Sequence, residues 1–368
     1  MTGGPGKTIL NTAKYINKDK FSIHVATFVP RGNPNTEFSK KLEESNIPCL
    51  KLIDTHGIFL RNLYSLRQYI KDMNIKVLHT HAYKADGHGL IMKMLTKHIV
   101  LITTHHGWIS NTFSQRLFVS LDLLFSRFFD GISVVSADLV KRIPDSRTKK
   151  QACEVIHNGL MLADYKPKHQ RNGIRRQFSI AEDDVVLGVV GRLSVEKGCI
   201  DILNAFKMVH KEISKTKLIF VGEGPLREVL QNNISVLNLK GKAILAGYHS
   251  SVNAFYEAFD IFVCPSKTEG LSNVILESFA YGLPVIATKV GGNPEIIDDR
   301  ANGLLVTSGD LEEMKAAIVE LIMDRQLRST LGSNGYNTAI ERFDFLDRVL
   351  KEELFYSRIL ARHDAKRS

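Results

Sequence analysis

Short apolar runs rich in β-branched residues alternate along this chain with longer stretches in which apolar residues recur at helical spacing. This alternation predicts strands joined by helices, the pattern of right-handed βαβ units with parallel sheets and helices on both faces. The predicted strands are residues 23–28, 49–53, 77–80, 100–104, 131–135 and 154–157, and then 185–190, 217–221, 243–246, 261–265, 284–287 and 303–306. The pattern therefore predicts an α/β fold.

Two domains are expected, because 368 residues are enough for two separate hydrophobic cores. A polar, charge-rich passage around residues 164–172, which contains Pro167, separates the two sets of strands and is the predicted linker. We place one Rossmann-like domain at residues 1–168, a second at 169–345 and a terminal helical segment at 346–368.

The start of the chain departs from the usual order of such a domain. A glycine-rich turn, Gly3-Gly4-Pro5-Gly6, precedes a helical pattern, but only two residues stand before it. In a doubly wound sheet this turn follows the first, central strand. We therefore expect that this strand is missing from the N-terminal domain and that the natural chain starts upstream of Met1.

Composition narrows the class of protein. The chain is 44% hydrophobic and 24% charged, without the roughly 18 uninterrupted apolar residues of a membrane span. It has no charged-then-apolar leader, so we expect a cytoplasmic protein. The four cysteines lie far apart and are expected to be reduced thiols.

Positive charge is concentrated in the first half of the chain. Residues 1–170 contain 24 Lys and Arg against 13 Asp and Glu, whereas residues 171–368 contain 25 against 26. A basic surface of this kind attracts anionic partners such as lipid headgroups or phosphate-bearing molecules. A solvated basic face that aids solubility is an equally good explanation.

The strongest chemical signal is a pair of glutamates, Glu269 and Glu277, separated by seven residues across a predicted strand-loop-helix junction. Ser272 or Asn273 is expected to cap the helix. Its free N–H groups and positive dipole end would bind a diphosphate. Glu277 would then reach ribose hydroxyls and Glu269 the hydroxyls of a sugar. Either glutamate alone would be explained by the helix dipole.

A second signal, Gly191-Arg192 followed by Lys197, comes directly after a predicted buried strand. Glycine lets the backbone approach a ligand closely, and the two cations suit a pair of phosphates. Cations at a departing diphosphate stabilise the transition state more than the ground state.

Taken in order, these motifs resemble the retaining GT-B glycosyltransferases, of the family 4 type or group 1, that act in cell-surface polysaccharide synthesis. The resemblance covers nearly the whole chain. It rests on the glutamate pair with 280–285 (AYGLPV) after it, on Gly191-Arg192 with Lys197, on 221–225 (VGEGP), on 291–295 (GGNPE) and on Asn158-Gly159. The resemblance implies a GT-B fold of two Rossmann-like domains that face each other across a cleft, with the acceptor on the N-terminal domain and the nucleotide sugar on the C-terminal one. It also implies that the terminal helix packs back toward the N-terminal domain.

The resemblance assigns roles to single residues. Arg192 and Lys197 would grip the donor diphosphate, Glu277 the ribose and Glu269 the transferred sugar, with His106 orienting that sugar from the acceptor side. The implied catalytic residues are His106, Glu269, Arg192 and Lys197, and the implied donor-binding residues are Gly3, Gly4, Gly191, Arg192, Lys197, Gly222, Glu223, Glu269, Gly270, Leu271, Ser272, Asn273, Val274 and Glu277. The family often has Glu where this chain has Gly6, so the chain departs from the family pattern at this position.

The implied reaction is front-face transfer with retention, in which the leaving β-phosphate accepts the proton of the acceptor. It needs no pair of flanking carboxylates and no metal or other cofactor, because Arg192 and Lys197 supply positive charge. The expected partners are a nucleotide sugar donor, an anionic or lipid-linked saccharide acceptor and the inner face of the cytoplasmic membrane as a peripheral surface. Nucleic acid is not expected.

Three other readings stay open. Residues 3–8 (GGPGKT) approach a phosphate-binding loop of an NTPase, although counting back from Gly6 puts Met1 at its first glycine. The histidines His79, His81, His105 and His106 suggest a metal hydrolase, but no accompanying carboxylate or cysteine set is recognisable in the sequence. A GT-B protein could also be an epimerase, a phosphorylase or a donor-binding protein without activity.

Overall fold

The computed structural model describes residues 4–55, 57–96, 98–108, 113–143, 152–165 and 170–365, without the side chains of 113–116 and 118. The chain forms two compact units. The first comprises Met1–Asn158 and Phe345–Ser368, and the second comprises Gly159–Asp344. Every strand pair in both units is parallel, as the alternating pattern predicts.

Strands and helices alternate along the first unit. The strands are β1 (Val25–Pro30), β2 (Cys49–Asp54), β3 (Val77–His81), β4 (Val100–His105), β5 (Gly131–Val134) and β6 (Ala152–Val155). The helices that precede and separate them are α1 (Gly4–Tyr15), α2 (Glu37–Glu44), α3 (Phe59–Asp72), α4 (Tyr83–Leu95), α5 (Phe113–Phe125) and α6 (Ala137–Arg142). The predicted glycine turn is thus helical from Gly4 onward, and Gly3 lies outside the described residues.

The strands of the first unit form two sheets. β1 pairs with β2, and β3, β4, β5 and β6 pair in that order. The division falls between β1 and β3, the strands that flank the first strand of a doubly wound sheet in its usual order. One core joins both sheets, because Leu50 of β2 and Leu78 of β3 pack against the same buried cluster of Leu63, Leu66, Ile70, Met92 and Ile99.

The second unit contains a single six-stranded sheet in the order β12-β11-β10-β7-β8-β9. Its strands are β7 (Val185–Val190), β8 (Thr216–Val221), β9 (Ala243–Gly247), β10 (Ile261–Cys264), β11 (Val285–Thr288) and β12 (Leu304–Val306). Its helices are α7 (Arg171–Gln177), α8 (Cys199–Glu212), α9 (Arg227–Val236), α10 (Asn253–Ala258), α11 (Asn273–Ala280), α12 (Asn293–Ile296), α13 (Leu311–Met323) and α14 (Arg325–Arg342). The strand order reverses between β7 and β10, so the carboxyl ends of these two strands flank the switch point at which such sheets bind ligands.

The second unit begins ten residues before the predicted boundary at 168/169. The backbone N–H of Leu160 donates to the carbonyl of Phe343 at 2.8 Å, and Leu160 forms a bridge with Asp344. This pairing ties the segment after residue 158 to the second unit. Part of the predicted linker, residues 166–169, lies outside the described residues.

The last helix, α15 (Phe345–Ala365), belongs to the first unit. Thr12 of α1 donates to the Glu352 carboxylate at 3.0 Å, and the backbone N–H of Asn17 donates to Glu353 at 2.7 Å. The chain therefore returns to its first unit after completing the second. In the described part of the chain, no helix is both long enough and apolar enough to cross a membrane.

Candidate active site

A pocket in the second unit lies at the carboxyl ends of β7 and β10, the switch point of the sheet. It is lined by Gly191 and Arg192 after β7, by Lys197, by Glu269 and by Val274 in the first turn of α11. The two sequence motifs are therefore brought together by the strand order, although they are about eighty residues apart in the chain. Arg192, Lys197 and Glu269 line one pocket.

Lys197 and Glu269 form the closest ion pair of this pocket. The Lys197 ammonium donates to Glu269 Oε1 at 2.6 Å, and the Ser266 hydroxyl donates to the same oxygen at 2.7 Å. Burial by itself lowers the pKa of Lys197, but the negative charge of Glu269 raises it, and the net pKa lies above the ordinary value. Lys197 is therefore a cation at neutral pH. The Arg192 guanidinium is exposed and has no ion-pair partner among the described residues.

Two glycine contacts hold the loops of the pocket against each other. Gly291 has a φ of +53°, and a Cβ there would lie 1.9 Å from the carbonyl oxygen of Glu269. Gly222 has a φ of +143°, and a Cβ there would lie 1.9 Å from the carbonyl oxygen of Gly191. Only glycine combines these backbone angles with so close an approach. The glycine motifs of the sequence therefore set the positions of the loops that carry Glu269 and Arg192.

The N-terminus of α11 differs from the sequence expectation. Ser272 occupies the N-cap position but makes no side-chain cap hydrogen bond, and its hydroxyl lies 3.5 Å from Cys264 Sγ instead. The expected side-chain cap at Ser272 was therefore wrong, and Asn273 is already the first helical residue. Leu271 is buried, and the Gly270 carbonyl accepts from the backbone N–H of Gly292 at 2.8 Å.

Glu277 lies in the second turn of α11, is only 4% exposed and does not line the pocket. Tyr165 OH donates to one of its carboxylate oxygens at 3.0 Å, and Tyr256 OH donates to the other at 2.8 Å. Burial, together with the charge of Glu277, raises the pKa of both tyrosines, so both remain donors. Arg192, Lys197 and Glu269 thus share one pocket, and Glu277 is held by two tyrosines that the sequence did not reveal.

Glu223 contributes through its backbone. Its carbonyl accepts from the backbone N–H of Leu193 at 3.0 Å, which joins its loop to the one that carries Arg192. Its carboxylate pairs with Arg227 at 2.6 Å and does not line the pocket. The donor contact predicted for Glu223 stays a prediction.

His106 belongs to the first unit and lies in the turn after β4. Its Nε2 is 2.9 Å from Nδ1 of His81, and the two rings are stacked with centroids 5.2 Å apart. Burial, followed by the charge of Arg348, lowers the pKa of His106 to about 3. The pKa of His81 is lowered as well, first by burial and then by neighbouring His79. Both rings are therefore neutral at physiological pH.

His79, which precedes His81 on β3, is also hydrogen-bonded on both ring nitrogens. Nδ1 of His79 lies 2.7 Å from Tyr356 OH, and its Nε2 lies 2.7 Å from the hydroxyl of Thr104. Burial lowers the pKa of His79 to about 4. The expectation that no carboxylates accompany these histidines was wrong, because Asp86 and Asp122 are buried beside His105. Asp122, an acid within the strongly apolar segment 117–129, was the one sequence signal that could have indicated this.

Comparison with known proteins finds two family models that match this chain. Residues 2–163 match the family model described as Glycosyltransferase Family 4, and residues 170–338 match the model described as Glycosyl transferases group 1. The chain is 25% identical over 307 residues to UDP-Gal:alpha-D-GlcNAc-diphosphoundecaprenol alpha-1,3-galactosyltransferase of Escherichia coli, covering 81% of this chain and 79% of that protein. It is 24% identical over 292 residues to N-acetyl-alpha-D-glucosaminyl L-malate synthase of Bacillus anthracis, covering 78% and 76%.

A solved structure shares the fold over nearly its whole length. Anabaena Alr3699/HepE in complex with UDP and glucose superposes with a TM-score of 0.85 at 21% sequence identity, covering 97% of this chain and 96% of that one. The two family models follow each other along this chain in the same order as its two compact units. The protein is therefore a glycosyltransferase of the GT-B fold, and its chain belongs to the group 1 family.

Proposed function

We propose that this glycosyltransferase takes a sugar from a nucleotide-diphosphate donor and transfers it with retention of configuration to a saccharide acceptor. The observation that carries the proposal is the pocket at the switch point, where Arg192, Lys197 and Glu269 meet the first turn of α11. Two cations and a helix N-terminus suit a diphosphate, and a carboxylate beside them suits sugar hydroxyls. The structural neighbour that binds UDP and glucose supports the same ligand class.

The chemistry follows from where charge develops. As the sugar departs, negative charge accumulates on the β-phosphate, and Lys197 and Arg192 stabilise it more strongly than they stabilise the bound donor. The β-phosphate oxygen then accepts the proton of the attacking acceptor hydroxyl on the same face of the sugar. The cations supply the charge that a metal supplies in other transferases, so we infer that no metal is required. Transfer that is unchanged in EDTA is the expected result, and its loss would contradict this inference.

His106 has a positioning role in this proposal. Because its pKa is lowered to about 3, its ring is a weak proton acceptor near neutral pH and suits a hydrogen bond to a sugar hydroxyl better than general-base catalysis. Its contact with His81 keeps the ring in one orientation.

The acceptor is assigned to the first unit, as an anionic or lipid-linked saccharide at the inner surface of the cytoplasmic membrane. The excess of Lys and Arg lies in residues 1–170. On α3 of the same unit, Leu60 is 78% exposed and Tyr64, four residues later, is 70% exposed. Apolar side chains at this spacing share one helix face, which together with positive charge suits an anionic membrane. The relative from Escherichia coli is named for a diphosphoundecaprenol-linked acceptor. A role in polysaccharide or glycolipid synthesis follows.

Transfer assays on pocket variants test the proposal. Nucleotide sugars are first screened for protection of the full chain against thermal unfolding, because a bound donor stabilises by mass action. With the donor so identified, Lys197→Ala and Glu269→Ala are each expected to lower transfer at least about 100-fold, the loss of one charged transition-state contact. Lys207→Ala, an exposed lysine on α8 outside the pocket, is the matched control and should retain activity. Near-wild-type transfer by both pocket variants would refute the proposal.

Product analysis in the same assay separates transfer from the other activities of the fold. A glycosylated acceptor whose new glycosidic bond has the same anomeric configuration as the donor supports retaining transfer. An isomerised donor would indicate an epimerase, and a free sugar phosphate would indicate a phosphorylase.

A further inference from the structure

Three buried side chains of the first unit lie together beside the turn that contains His106. Asp86 on α4 is 1% exposed, Asp122 on α5 is 5% exposed, and His105 at the end of β4 is 4% exposed. A carboxylate oxygen of each aspartate and a ring nitrogen of His105 all lie within 4.8 Å of one another. The reaction described above uses none of these three groups.

Within the part of the chain that the structure describes, each of the two carboxylates has a hydrogen-bond donor for only one of its two oxygens. Asp86 Oδ1 accepts from the hydroxyls of Thr80 and Thr103, the latter at 2.9 Å. Asp122 Oδ2 accepts from Trp108 Nε1 at 2.9 Å and lies 3.3 Å from His105 Nδ1. The remaining oxygens, Asp86 Oδ2 and Asp122 Oδ1, have no donor among the described residues. Each carboxyl group therefore has one satisfied oxygen and one that lacks a partner.

Two ionised carboxylates in contact and away from water repel each other strongly, and each unpaired oxygen adds a desolvation cost. One proton removes both penalties, because it neutralises one acid and donates to the other, as in pairs of carboxyl groups that share a site. We propose that Asp86 carries this proton on Oδ2, donates it to Asp122 Oδ1, and with Asp122 forms a positioning pair for His106. The pKa values agree in direction: burial, then the hydrogen bond to Asp122, raises that of Asp86 to about 8, whereas the pKa of Asp122 is lowered in spite of its burial by His105 and Asp86.

The pair acts on His106 through the two residues that bracket it. Asp122 Oδ2 accepts a hydrogen bond from Trp108 Nε1 and lies close to His105 Nδ1. The turn between His105 and Trp108 consists of His106 and Gly107, and Gly107 has a φ of +122°. Asp122 Oδ2 thus contacts both ends of the turn that contains His106. The role of His106 itself rests on the proposed function, but the shared proton does not.

The proton also makes the site sensitive to alkali. The titratable groups that act on Asp86 are Asp122 on α5 and, through it, His105 on β4, while β3 contributes only the hydroxyl of Thr80. A carboxyl group whose folded pKa is raised contributes stability that is fully present below its unfolded pKa near 4 and is lost as pH rises through about 8. Deprotonation leaves two charges in contact and loosens the turn.

Trp108 makes this testable without a substrate, because it is the only tryptophan of the chain and it hydrogen-bonds to Asp122. We expect the tryptophan emission of the full-length protein to change between pH 7 and 9.5 with a midpoint near 8. Asp86→Asn keeps an N–H donor for Asp122 and an oxygen for the two threonines but has no proton to lose. Its emission should stay constant over the same range. Asp72→Asn removes an exposed aspartate of α3 and should behave as wild type.

A second measurement keeps the proposal testable if Asp86→Asn does not fold. The infrared carbonyl band of a protonated carboxyl group should be present in the wild-type protein at pH 7, weaken through pH 8 and be nearly lost by pH 9.5. Absence of that band at pH 7 would overturn the proposal, as would a wild-type emission that is flat to pH 9.5. One equivalent of zinc in the purified protein that is lost in Asp86→Asn would also overturn it, because a metal ion would then occupy the place of the proton.

Transfer assays then test the positioning role separately. Asp86→Ala is expected to lower kcat at least about tenfold through misplacement of His106, with little change in the KM for the donor, and Asp86→Asn should restore kcat at pH 7. A protein that shows the emission change but no transfer would contradict the proposed function and leave the shared proton intact.

Discussion

Two carboxylates of the second unit are held by other side chains before any ligand arrives. Glu269 accepts from both Lys197 and Ser266, and Glu277 accepts from two tyrosines. A carboxylate that is already oriented loses little entropy when a sugar hydroxyl binds. Glu269 and Glu277 are therefore oriented in advance for the donor that we propose.

Replacement of Tyr256 by Phe tests how firmly Glu277 is held. Tyr256 is completely buried, and its hydroxyl donates to a buried carboxylate, so Tyr256→Phe is expected to lower the free energy of unfolding by about 1.5–3 kcal/mol. Urea denaturation of the full chain measures the change. Tyr336→Phe removes a hydroxyl from a tyrosine that is 42% exposed on α14 and should change stability little. Equal effects of the two substitutions would contradict the assigned hydrogen bond.

At this scale the sequence indicates types of residue but not their partners. The ordered series of motifs, through its resemblance to a known family, was sufficient to predict a common pocket for Arg192, Lys197 and Glu269. The contact of Tyr165 with Glu277 joins residues 112 positions apart and carries no local signature. Asp86 and Asp122 are likewise brought together by the packing of two helices, which no local spacing encodes.

At the scale of elements, the site depends on loops that approach each other at backbone distance. Gly291, which precedes α12, contacts the loop of Glu269, and Gly222 after β8 contacts Gly191 after β7. Parallel strands place these loops at the same edge of the sheet. Their separation is then set by the absence of a side chain.

Gly291→Ala separates this contact from simple backbone strain. The new Cβ would meet the Glu269 carbonyl at 1.9 Å, so the loop has to shift, and we expect kcat/KM for the donor to fall at least about tenfold. Gly309→Ala is the matched control, because its φ is +85° but nothing lies within 4 Å of its Cβ. It should cost about 1–2 kcal/mol of stability and leave kcat/KM unchanged. Equal losses of kcat/KM in the two variants would contradict the role of the contact.

All twelve predicted strands are present, because alternating apolar runs determine that a strand forms. Their ends shift by one or two residues. The strand predicted from Pro284 begins at Val285, since proline has no N–H to donate to the ladder. The division of the first unit into two sheets was not predicted in that form, because periodicity along the chain does not encode which strands pair.

At the scale of the whole molecule, the two halves of the chain differ in net charge. The first half has the basic excess and the exposed apolar residues of α3, whereas the second half is close to neutral and contains the pocket of Arg192, Lys197 and Glu269. This asymmetry is the basis for assigning the acceptor and the membrane surface to the first unit.

Sedimentation with lipid vesicles tests that assignment. We expect the protein to bind vesicles that contain phosphatidylglycerol but not vesicles of pure phosphatidylcholine. Salt should weaken the binding. Leu60→Ser combined with Tyr64→Ser should reduce binding at least about fivefold, because two apolar groups no longer enter the interface. Val236→Ser, which removes a 77% exposed valine from the second unit, should have no effect. Unchanged binding by the α3 double variant would contradict the assignment.

The central claim is that the cations of the second unit hold the β-phosphate of the donor, and calorimetric binding of a nucleoside diphosphate and the corresponding monophosphate tests it most directly. The base is the one that the thermal screen selects. Lys197→Ala should weaken the diphosphate about 10- to 100-fold, the effect of a charged hydrogen bond, and the monophosphate by less than about threefold. Lys207→Ala should change neither affinity. Equal weakening of both nucleotides by Lys197→Ala, or none, would contradict the claim.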